Sequence, residues 1–166
     1  MRTLYLLNVT LHVLAAMLWL GGMFFLAAVG GPALRRIDDP VLRGRLFEVI
    51  GRAFRRTGWW SILVLVVTGI GNLAFRGLLS NGVIVSRAFW ASPFGHTLAA
   101  KLVAVAAMLG VSAVHDFVIG PAASRAARDR SPRAATLRSR AAWLARINAG
   151  LGVAVVLLAV RLARGG

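Results

Sequence analysis

Residues 4–29 read LYLLNVTLHVLAAMLWLGGMFFLAAV, 26 positions without one Asp, Glu, Lys or Arg. About 20 apolar residues of helix cross the hydrocarbon core of a bilayer, so this stretch is long enough to span with some tilt. One histidine, His12, sits inside it. At about 100° per residue, Asn8, His12, Ala15, Ala16, Trp19 and Met23 share one helix face, which is polar or small where the other faces carry Leu, Val and Phe. A titratable group within a membrane helix faces a bundle interior and is a functional candidate by default. The plainer reading is a histidine that only hydrogen-bonds a neighbouring helix. Both readings stand.

Three more apolar runs follow, at roughly 59–75, 96–119 and 141–162. The chain is 58% hydrophobic, against about 45–50% for a soluble domain. The fold class expected is all-α, a polytopic membrane four-helix bundle in one domain of the inner (plasma) membrane. There are no cysteines, which excludes disulfides, thiolate metal sites and thiol catalysis. The net charge of +15 would suggest nucleic acid in a soluble protein. Here the arginines border the spans, so the expected partner is anionic lipid and not nucleic acid. The first run is too long for a signal-peptide core, and positive charge follows it. A retained span is therefore expected.

Taken in order, Gly30-Gly31-Pro32 reads as a helix stop. Asp39-Pro40 reads as a cap with proline at the first helical position. An amphipathic helix carrying Val41, Leu42, Leu46, Phe47, Val49, Ile50 and Phe54 then lies at the interface or extends the second span, with Gly58 as a break. On the second span Ser61, Leu65, Thr68, Asn72 and Arg76 form one stripe, expected to face other helices. Ser92-Pro93 caps the third span. Thr97, Lys101, Ala104, Met108, Ser112 and His115 line one of its faces. Lys101 reads as a functional cation or as a side chain snorkelling to the surface. His115-Asp116 reads as a site or as an interfacial polar pair, and His96 as a surface histidine. Gly120-Pro121 is expected to end this helix, and Ser131-Pro132 to open the fourth, which carries Arg146, Asn148 and Arg161.

The two links rich in arginine, 35–56 and 125–140, are cytoplasmic by the positive-inside rule, which leaves both termini outside. The halves also resemble one another. Gly31-Pro32-Ala33 and Gly120-Pro121-Ala122 are 89 residues apart, and the same shift places His12 on Lys101 and Asn72 on Arg161. The expectation is a two-fold repeat of helical hairpins about an axis normal to the membrane. His12 and Lys101 would then share one cavity in the outer half.

The stretch HVLAAMLWLGGMFF, residues 12–25, resembles the first helix of the copper-resistance protein D (CopD) family, with a His, then a Trp and paired small residues. PFGHTLAAKLVAVAAMLGVSAVHDF, residues 93–117, resembles that family's Gly…Lys-Leu helix. The same segments are similar to HemJ-type membrane protoporphyrinogen oxidases. That second resemblance implies haem binding and activity at His12 and Lys101, with His115 as the later histidine, although His-Asp-Phe replaces a His-aromatic pattern.

Three functions are open. The first is a haem b protein, an oxidoreductase if catalytic. His12 is then the axial ligand, and Asn8, Trp19, Asn72, Lys101 and Arg161 surround the cofactor. Ala15, Ala16, Gly21, Gly22, Gly69 and Gly71 would make room for the macrocycle. Lys101 would pair a propionate, act on a porphyrinogen proton or serve as a second ligand. The second is copper transport or resistance, with His12 and His115 as metal ligands and Met17, Met23 and Met108 as steps along a path. The third is a non-catalytic membrane assembly subunit. A redox partner or a second copy is the protein partner to consider.

Overall fold

A computed structural model describes residues 1–80 and 82–165. Four long helices dominate: α1 (Arg2–Arg35), α2 (Pro40–Phe75), α4 (Pro93–Arg128) and α5 (Ala134–Ala163), with the short α3 (Arg87–Ala91) before α4. All four long helices have the length and hydropathy to cross a membrane. Their 30 to 36 residues give about 45–54 Å of helix, more than the roughly 30 Å hydrocarbon core. The surplus is long enough to extend beyond that core. The chain is an all-α polytopic membrane protein. It divides into two compact units, residues 1–89 and 90–166, each built on one hairpin, α1 with α2 and α4 with α5.

The Gly-Pro sites do not stop the helices. α1 runs through Gly31-Pro32 to Arg35, and α4 runs through Gly120-Pro121 to Arg128. Both helices widen by one residue just before the proline, at Leu26–Gly30 and Val114–Ile119. The Gly31 amide donates to the Leu26 carbonyl and the Gly120 amide to the His115 carbonyl, five residues back in each case. A proline ring in a regular helix collides with the carbonyl four residues earlier, and its missing N–H breaks the ladder. A π-type turn shifts that carbonyl and lets the helix continue. The glycines follow from the same geometry. A Cβ at Gly31 would lie 3.0 Å from the Leu26 oxygen, and one at Gly120 would lie 2.9 Å from the His115 oxygen.

Asp39 caps α2 as expected, its Oδ1 accepting from the amides of Val41 at 2.8 Å and Leu42 at 3.3 Å. Ser92 caps α4 through Gly95 N–H at 3.0 Å. Each such cap contributes about 1 kcal/mol. α2 continues unbroken past Gly58, which is buried against the Trp19 indole. Ser131-Pro132 lies in the turn before α5 and does not open that helix; Ser131 Oγ accepts from Arg133 N–H at 3.3 Å instead. α2 ends in a Schellman motif. Leu78 N–H bonds the Leu73 carbonyl, Gly77 N–H bonds the Ala74 carbonyl, and Gly77 takes φ +70°. α4 ends the same way, Ser131 to Ala126 and Arg130 to Ala127, but with Arg130 at φ 49°.

Within each hairpin most large apolar residues are exposed, and the buried positions mix small, polar and a few large apolar side chains. Leu4, Leu7, Leu11, Leu14 and Leu18 of α1 are exposed, whereas Ala15 and Trp19 are buried. On α2 Ser61, Ile62 and Thr68 are buried. In the second hairpin Thr97, Leu98, Met108 and Ser112 of α4 are buried, as are Asn148 and Gly152 of α5. Lipid solvates leucine as well as protein does, so helices meet through small residues and hydrogen bonds.

Candidate functional site

The first hairpin holds a cluster of polar contacts between its two long helices. Asn8 and His12 sit four apart on α1, one turn from each other on a single face. Thr68 and Asn72 repeat that spacing on α2. The antiparallel register brings Asn8 opposite Asn72 and His12 opposite Thr68. Asn8 Nδ2 donates to Asn72 Oδ1 at 3.0 Å and to the Thr68 carbonyl at 2.9 Å. His12 Nδ1 lies 2.8 Å from Thr68 Oγ1.

The direction of that last bond follows from counting protons. Thr68 Oγ1 lies 2.6 Å from the Val64 carbonyl, to which it donates. A hydroxyl has one proton, so towards His12 it acts as acceptor. His12 Nδ1 is therefore the donor. In the neutral imidazole this assignment leaves the lone pair on Nε2. Histidines that ligate metals are commonly held by this kind of bond through the other ring nitrogen.

The neighbouring small residues seat side chains of the hairpin itself. A Cβ at Gly71 would lie 2.6 Å from Asn8 Oδ1, and one at Gly69 would lie 3.7 Å from His12 Cε1. The Phe54 ring occupies the space over Gly22. Trp19 packs on Gly58, and Tyr5 meets Phe75 edge-on with centroids 5.8 Å apart. Gly22 and Gly71 therefore receive Phe54 and Asn8, where room for a macrocycle was the expectation.

The second hairpin carries the other expected residues. Lys101 is half-buried on α4, on the same stripe as the buried Thr97 and Met108. His115 lies in the widened turn, with Nδ1 2.8 Å from Asp116 Oδ1; the two side chains are 37% and 22% exposed. His96 is exposed, as is Arg161 near the end of α5. Asn148 Nδ2 donates to Ser112 Oγ at 2.9 Å, a buried inter-helix bond. Met17 is 65% exposed and Met108 is fully buried, so the first faces away from His12 and the second is packing. Among the described residues, no group of three or more His, Cys, Asp or Glu side chains is placed to hold a metal ion.

The structure thus joins Asn8 and His12 through one residue, Thr68, and Asn8 in turn bonds Asn72. The sequence marks Thr68 only as a polar member of the inward stripe of α2. Nothing in it singles the threonine out as the partner of His12, because that depends on the hairpin register.

Comparison with known proteins adds the following. The family described as Copper resistance protein D matches residues 48–162, which takes in most of α2, all of α4 and nearly all of α5. The match does not extend to the first span, where His12 lies. A protein of Aquifex aeolicus (strain VF5), described as an uncharacterized protein, is 31% identical over 156 residues, covering 93% of this chain and 92% of its own length. No solved structure matches.

Proposed function

The chain belongs to the Copper resistance protein D family, and from that membership we propose that it handles copper ions at the plasma membrane, with His12 as an intramembrane imidazole on their route. One observation carries the assignment to His12. Its ring lies within an uncharged span and is held through Nδ1 by Thr68, which turns the lone pair to Nε2. Imidazole nitrogen is a good copper ligand. Copper is cargo in this reading, so a closed cage of three or four ligands is not required. A site with few protein ligands binds weakly enough to release the ion. His115, oriented by Asp116, is a second imidazole of the same kind in the other hairpin.

The topology and the internal repeat belong to the same proposal. The arginine-rich links face the cytoplasm and both termini face outward. The repeat is supported by the two widened turns. Each precedes a Gly-Pro pair, and each lies in the first long helix of its hairpin.

A haem b protein is the reading this geometry favours less. An imidazole held through Nδ1 suits an axial ligand. However, two of the glycines expected to make room in the first hairpin, Gly22 and Gly71, are filled by Phe54 and Asn8. Those two positions give a macrocycle no room, whereas Gly21 faces open space.

The deciding experiment is the metal content and absorption spectrum of protein purified from copper-grown cells, with copper uptake by proteoliposomes. The expected result is bound copper without a Soret band, and uptake that falls at least about tenfold in His12→Ala. A Soret band without copper would replace this proposal with the haem reading. Neither copper nor porphyrin, and no uptake, would leave a non-catalytic assembly subunit.

A further inference from the structure

The second hairpin has an open groove of about 450 Å³ between the widened turn of α4 and the start of α5. Val114 and Ile119, the first and last residues of that turn, form one wall. Leu144 and Trp143 of α5 form the apolar part of the other. Thr136, Ser139 and Arg140 continue that wall toward the basic link. The α5 face therefore changes from polar to apolar within about two helical turns, in the direction that leads into the span. Trp143 is exposed, with the Arg146 guanidinium 5.6 Å from its ring centroid, an arrangement suited to the membrane–water boundary.

We infer that this groove binds one anionic phospholipid. Its phosphate lies against Arg140 with the Ser139 and Thr136 hydroxyls, and one acyl chain runs along Val114, Ile119 and Leu144. Charge complementarity selects the occupant. The link of residues 125–140 carries Arg125, Arg128, Arg130, Arg133, Arg138 and Arg140 against the single acid Asp129. Basic residues at the edge of a span draw anionic headgroups, while the apolar wall takes a hydrocarbon chain that a soluble anion lacks. The first hairpin repeats the pattern. A groove of about 330 Å³ there is lined by Arg56, Trp59, Trp60 and Leu63, again with an arginine three residues before a tryptophan on the returning helix. The widened turn thereby gains a role beyond accommodating Pro121, because it shapes one wall of a lipid site.

The test is native mass spectrometry of the full chain, released from micelles containing equal amounts of phosphatidylglycerol and phosphatidylcholine. The wild type is expected to retain phosphatidylglycerol about fivefold over phosphatidylcholine. Arg140→Gln should bring the ratio to parity, whereas Arg140→Lys and Arg133→Gln should preserve it. Ile119→Trp, which fills the apolar wall, should reduce retention of both lipids. Excess inorganic phosphate should displace neither. Parity in the wild type would overturn the site, as would an equal loss in Arg133→Gln, which would reveal a diffuse basic field. Displacement of phosphatidylglycerol by inorganic phosphate would also overturn it, by showing a soluble-anion site.

Discussion

His12 Nδ1 donates to Thr68 Oγ1 at 2.8 Å, across the two helices of the first hairpin. The same hydroxyl donates a hydrogen bond to the Val64 carbonyl. One threonine thus fixes both the rotamer and the tautomer of the intramembrane histidine. Thr68→Val keeps the shape and removes the acceptor. A buried N–H left without a partner costs about 1–3 kcal/mol, and the ring is expected to rotate or change tautomer. Copper affinity should fall about 10- to 100-fold, and Thr68→Ser should restore it. Imidazole ¹⁵N shifts are the direct readout, with His96 and His115 as internal references. An unchanged His12 tautomer in Thr68→Val would remove this role from Thr68.

The two widened turns predict an asymmetry among glycines. Gly31→Ala and Gly120→Ala each place a methyl against a backbone carbonyl, at 3.0 and 2.9 Å. A backbone oxygen cannot swing aside as a side chain can. Each substitution is expected to destabilise its hairpin by about 1–3 kcal/mol. Gly21→Ala meets nothing within 4 Å and should be neutral or gain up to about 1 kcal/mol from helix propensity. Thermal unfolding of the three variants in one detergent checks the order. Equal behaviour of Gly21→Ala and Gly120→Ala would contradict the turn geometry.

Arg130 holds the left-handed position that closes the Schellman motif of α4, at φ 49°. Gly77 holds the equivalent position in α2. An L side chain in that conformation costs about 1–2 kcal/mol, which glycine avoids while losing more backbone entropy on folding. Arg130→Gly is expected to stabilise the second hairpin by roughly 0.5–1 kcal/mol. Arg130→Ala, which keeps a Cβ, should not. A matched pair of unfolding curves decides between them.

Topology is open to a labelling test, because the chain has no cysteine. Ser80→Cys, in the link between the hairpins, should react with an impermeant thiol reagent in intact cells. Ser131→Cys, in the arginine-rich link, should react only after the membrane is permeabilised. The reverse pattern would invert the assigned orientation.

Much of the architecture follows from the sequence alone, because membrane burial is a property of segments. An uncharged run as long as residues 4–29 has no stable alternative to a membrane helix, whichever helix it meets. Asp39 and Ser92 read correctly as caps because a cap is decided within four residues. The inward stripes of α1 and α2 were legible because they need only helical periodicity. Tertiary structure decided the rest. Gly-Gly-Pro reads locally as a stop, yet α1 continues, because a π-type turn before the proline moves the carbonyl that its ring would meet. Ser131-Pro132 carries the signal of a cap, but the chain turns there to bring α5 back against α4. The pairing of His12 with Thr68, and the filling of Gly22 by Phe54, depend on the register of two helices whose contacting residues lie 56 positions apart for the histidine. No local pattern encodes that register. It is set by which small residues let the backbones approach and which polar groups must find partners where water is absent.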